Sequence, residues 1–147
     1  MWGYALVMFF AGVGVPTMAA LSSMLGRFLN APFAAALILF LVALCTAAMV
    51  VFLQGDMPFQ KLSVAPKYAF LAGCLMAFYV LSITFVAPRF GLGNAVFFVL
   101  LGQLVSAAII DHFGLFGAKI TPLNMTRLAG ILVMALGVWL TQFATQK

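Results

Sequence analysis

From Phe33 to Leu53 the chain has no strongly polar side chain in the interior of the stretch. A bilayer's hydrocarbon core is about 30 Å thick and takes roughly 20 helical residues to cross. This stretch alone therefore points to a fold that spans a membrane. Similar apolar stretches lie at about residues 4–23, 68–87, 94–111 and 122–143. They are continuously apolar rather than alternating in and out over about ten residues, which argues against a membrane barrel. The charges fall between them. Only 6% of the residues are charged and 67% are hydrophobic, whereas a soluble domain carries about 25% charged residues. The expectation is an all-α integral membrane protein, five transmembrane helices in a single membrane domain over residues 1–147.

The first span has no positively charged leader region of the signal-peptide kind, so it reads as a retained helix with Trp2 and Tyr4 as interfacial aromatics. Gly12, Gly14, Pro16 and Thr17 mark a break near its middle, because proline removes a backbone donor and clashes with the preceding turn. Pro32 suits the first turn of the next helix. Gly55, Pro58 and Pro66 break up the polar segment from Gln54 to Lys67. In the third span Ala69, Gly73 and Ala77 form a smooth face for helix packing, while Tyr79, Ser82 and Thr84 add polar groups. Pro88, Gly91 and Gly93 build a tight turn with Arg89 exposed in it. Gly114 and Gly117 end the fourth span; Thr121 caps the fifth with Pro122 at its first helical position. Gly130 and Gly137 share one packing stripe of that fifth span, and Cys45 and Cys74 read as small packing residues.

Net charge is +5, but seven basic residues scattered singly make no nucleic-acid surface. Five spans place Arg27, Arg89 and Lys147 on one side, and Lys61, Lys67, Lys119 and Arg127 on the other. Lys and Arg bias sets orientation, and three against four is close to balanced. A fixed orientation and a dual one, with an antiparallel dimer, are both compatible with it.

No paired carboxylate, metal-ligand cluster, phosphate loop or nucleophile elbow is present, so neither an enzyme, a cofactor nor a metal is expected. What remains are polar groups on apolar helices, which tend to face a bundle interior or a wet cavity. Gln103 and Ser106 lie deep in the fourth span, about 60° apart on one face. They serve either as interhelical hydrogen-bonding groups or as cavity lining. Asp111 falls near the far interface, at a helix end whose dipole disfavours it, with His112, Lys119 and Arg127 available to compensate. It reads as a structural ion pair or as a gate. Candidate cavity residues are thus Gly12, Gly14, Pro16, Thr17, Tyr79, Gln103 and Ser106; gate or ion-pair candidates are Arg89, Asp111, His112 and Arg127.

Three stretches, PTMAALSSMLGRFLNAPFAAALILF, AGCLMAFYVLSITFVAPRFGLGNAVFFVLLGQLVSAAIIDHFGLFG and PLNMTRLAGILVMALGVWL, resemble the YdcZ family of the drug/metabolite transporter superfamily. The resemblance covers nearly the whole chain. It implies a five-helix bacterial inner-membrane protein, half of a ten-helix transporter, acting as an antiparallel homodimer or with a paired homologous chain. Two departures stand out: Ser22 replaces the family's asparagine before the Leu-Gly pair, and the chain contains no glutamate. The first-helix carboxylate of the small multidrug-resistance relatives thus has no counterpart. The resulting expectation is an exporter of small organic solutes working by alternating access, with a non-transporting scaffold or accessory subunit as the rival.

Overall fold

A computed structural model describes residues 2–55 and 64–145, with side chains as far as Thr141. Helices α1 (Trp2–Phe28), α2 (Pro32–Gln54), α3 (Leu71–Phe90), α4 (Leu92–Phe113) and α5 (Met125–Thr145) make up the fold, and the described residues include no strand. A 3-10 turn at Lys67–Phe70 leads into α3, and another, Leu115–Gly117, follows α4. Four segments, Trp2–Phe28, Pro32–Gln54, Lys67–Phe90 and Leu92–Phe113, are long and apolar enough to cross a membrane, and α5 is apolar over Met125–Thr141. The chain is an all-α membrane protein. It divides into two compact units, Met1–Leu92 and Gly93–Lys147.

In the first unit α1, α2 and α3 pack on one another through small residues. Ala19, Ala35, Ala36 and Val80 are fully buried, and Ile83 and Ala87 nearly so. A Cβ on Gly26 would lie 3.2 Å from Pro32 Cα and 3.5 Å from Thr84 Cγ2, so glycine sets how closely these helices approach. In lipid, association rests on such close van der Waals contact rather than on expulsion of water. The packing occupies one end only. Residues 2–14 of α1 and 41–50 of α2 are exposed throughout.

The turn joining α1 to α2 closes that packed end. Asn30 takes the left-handed conformation (φ 51°). Its N–H donates to the Arg27 carbonyl, and the Ala31 N–H donates to that of Gly26. This is a Schellman termination with asparagine in the usual glycine position. Pro32 then opens α2, where its missing N–H costs nothing.

Four local expectations are revised. No break occurs at Gly12 to Thr17: α1 is one helix through Pro16, as lipid-spanning helices tolerate proline when neighbouring groups compensate. α3 likewise runs through Pro88, so Arg89 stands in its last turn rather than in a loop, and Gly91 (φ 93°) alone separates α3 from α4. The cap of α5 is Asn124, whose Oδ1 accepts the Arg127 N–H at 2.8 Å, with Thr121 and Pro122 left outside the helix. Finally, α3 packs along Val80, Ile83, Thr84 and Ala87. The Gly73 face is open, and Cys45 and Cys74 are exposed rather than packed. Lys61 and Lys147 of the charge comparison, and Asp56 and Pro58, lie outside the described residues.

Candidate functional site

At the packed end of the first unit, the hydroxyls of Ser22 in α1 and Thr84 in α3 share a hydrogen bond of 2.7 Å. Both residues are buried. Satisfying each other, the two hydroxyls fix the rotation of α1 against α3. One residue along, Ser23 is also buried, but its Oγ has no hydrogen-bond partner among the described residues.

Around this pair lies a cluster of cations and rings. Phe33 of α2 stacks on Phe85 of α3, with centroids 5.9 Å apart and planes 3° from parallel. The Arg89 guanidinium stands 3.9 Å from the Phe85 centroid and donates from Nη1 to the Phe85 carbonyl at 2.6 Å. A cleft of about 330 Å³ is bounded by Arg27, Asn30, Pro32, Thr84 and Arg89. A second, of about 320 Å³, is bounded by Ser23, Arg27, Pro88 and Gly91. Arg27 and Pro88 belong to both.

The expected cavity residues are dispersed over three helices. Gly12, Gly14 and Thr17 are exposed on α1, and Thr17 Oγ1 bonds back to the Val13 carbonyl at 3.0 Å. Pro16 is half-buried. Tyr79 of α3 is half-buried too, with its hydroxyl buried and unpartnered among the described residues. Gln103 and Ser106 are exposed on α4. Gln103 stands about 17 Å from the start of that helix at 1.5 Å per residue, close to its midpoint.

In the second unit the expected charged residues do come together. Arg127 Nη2 meets Asp111 Oδ2 at 2.5 Å, both side chains about one-third exposed. Arg127 Nη1 also donates to Thr121 Oγ1 at 3.0 Å. The Thr121 N–H donates to the Asp111 carbonyl, and the Leu123 N–H to His112 Nδ1 at 3.0 Å. With Nδ1 accepting, the neutral imidazole carries its proton on Nε2. This lattice ties the end of α4 to the start of α5. Chain reversal in between uses Gly114 (φ 62°), where a Cβ would strike Ile120 Cγ1 at 2.6 Å. Lys119 is exposed. Arg89 has no place in this group; it belongs to the aromatic cluster of the first unit.

The sequence reading missed the Ser22–Thr84 bond and the shared position of Arg27. Two hydroxyls 62 residues apart leave no local signal. Arg27 carried one: it is a lone cation just before a turn of Asn30 and Pro32, where a helix end was already expected.

Four segments of membrane-spanning length and small-residue helix contacts define a multi-pass membrane protein. The sequence model of the family described as "Putative inner membrane exporter, YdcZ" matches residues 3–140. The chain belongs to this family, and its place is the inner membrane. No curated protein and no solved structure matches it.

Proposed function

We propose that the chain is one half of an exporter of small organic solutes, completed by a second copy or a paired homologous chain in antiparallel arrangement. The observation that carries this reading is the exposure of Gln103 and Ser106 at mid-helix in α4. An amide at that depth is costly against lipid and belongs against protein or a wet cavity. Among the described residues nothing covers it, which supports a partner surface or a wet cavity at that depth. The buried, unpartnered hydroxyl of Tyr79 supports a site still to be completed. So do Gly73, Gly130 and Gly137, whose faces meet nothing within 4 Å where a packing stripe was expected. The family's exporter description supports transport over a purely structural role. Gln103 and Ser106 in one unit, and Tyr79 and the Gly12 to Thr17 stretch in the other, are the candidate substrate-lining residues, and alternating access would come from rocking of one half against the other.

The test is cysteine labelling at Gln103 in membranes with a water-soluble maleimide. Reaction from either side is expected. Protection from both sides, together with no solute flux across a broad panel in liposomes, would leave the scaffold reading in its place. Reporter fusions to the C-terminus are expected to appear on both sides of the membrane for a dual-topology homodimer, and on one side if a paired chain supplies the other half.

A further inference from the structure

The packed end of the first unit holds positive charge that no acidic side chain described there neutralises. Arg27 and Arg89 line one cleft, and the chain contains only two acids. Asp111 is engaged by Arg127 in the other unit, and Asp56 lies outside the described residues.

An arginine in the last turn of a helix ordinarily serves the terminal carbonyls. At the end of α1 the backbone already fills that role: the carbonyls of Leu25, Gly26 and Arg27 accept from Leu29, Ala31 and Asn30. The Arg27 guanidinium is exposed and not needed for it. Arg89 commits Nη1 to Phe85 and keeps further donors. α2 begins at the same place with no side-chain cap and no acid in its first turn, which leaves its first N–H groups and the positive end of its dipole facing outward. Ser23, 6% exposed and without a partner among the described residues, lines the adjoining cleft with Arg27.

We infer that the first cleft is a binding site for one oxyanion group, a phosphate or a carboxylate, held by Arg27 and Arg89, with the buried Ser23 hydroxyl of the adjoining cleft, which shares Arg27, as a further donor. A guanidinium fork matches such a group in a bidentate manner. The site stands at the ends of helices of the first unit, uses neither Gln103 nor Ser106, and does not depend on the transport reading. Its ligand is either the headgroup of an anionic phospholipid or a soluble anion.

The experiment uses the full chain purified in a neutral detergent. Native mass spectrometry compares retention of phosphatidylglycerol with that of phosphatidylcholine, and equilibrium dialysis measures uptake of inorganic phosphate and of acetate. Preference of about tenfold for phosphatidylglycerol identifies the headgroup source; saturable uptake of phosphate or acetate identifies the soluble one. In either case Arg27→Gln is expected to weaken binding about tenfold and Ser23→Ala several-fold, since charge-assisted bonds are the strong ones. Arg27→Lys, which keeps the charge but loses the fork, should fall between and serves if the glutamine variant does not fold. The inference is overturned if neither probe binds. It is overturned equally if Lys67→Gln, which removes an exposed charge elsewhere, weakens binding as much as Arg27→Gln.

Discussion

The two units handle charge in opposite ways. In the second, Arg127 is held by Asp111 and Thr121 in a lattice that joins two helices. In the first, helix packing needs no charge at all: alanines, Gly26 and one hydroxyl pair hold α1, α2 and α3 together, and the arginines stand at the margin. One region uses its ionic groups as structure; the other leaves them available for something outside the chain.

The strongest way to break this contrast is Gly26→Leu. A branched side chain where a Cβ already lies 3.2 Å from Pro32 Cα must separate α1 from α2, and a loss of about 3 kcal/mol is expected. Unfolding titration in mixed micelles would read it; near-wild-type stability would mean the packed end is not what holds the unit. Next comes Ser22→Ala, which leaves Thr84 buried without its partner and should cost about 1 kcal/mol. Adding Thr84→Val should recover most of that loss, so the double variant would be more stable than the Ser22→Ala single.

In the second unit, Asp111→Asn and Arg127→Ala should each cost about 0.5–1 kcal/mol, because the pair is one-third exposed and partly screened. The exchange of Asp111 and Arg127 for each other should restore part of it. If the single changes cost as much as Gly26→Leu, the lattice is more central than its exposure implies. The smallest effect is expected for Gly73→Ala, within about 0.5 kcal/mol in the isolated chain, since its face is open. A larger loss confined to the assembled state, seen by crosslinking, would place a partner on that face.

The spans were legible from hydropathy because a membrane leaves the backbone few alternatives to a helix. Punctuation read less well. Pro16 and Pro88 read as a break and a turn, as they would be in water, yet both lie within continuous helices. Thr121-Pro122 resembled a cap, but Asn124 supplies a better-placed acceptor. Asp111 was recognisable as a charge needing compensation, and the choice of Arg127 over Lys119 depended on the fold of the intervening turn. The packing face of α3 was misplaced by about two turns, because alanines and glycines are frequent along the whole helix and only the partner surfaces select among them.

The small-residue core has a thermodynamic consequence. Drawing α1, α2 and α3 apart inside a bilayer would transfer their alanine and glycine faces to acyl chains, not to water. The heat-capacity increase that curves the stability of soluble domains comes from hydrating apolar surface, and here almost none is hydrated. Cohesion of this unit should therefore change little with temperature and respond instead to the thickness and chain order of the surrounding lipid.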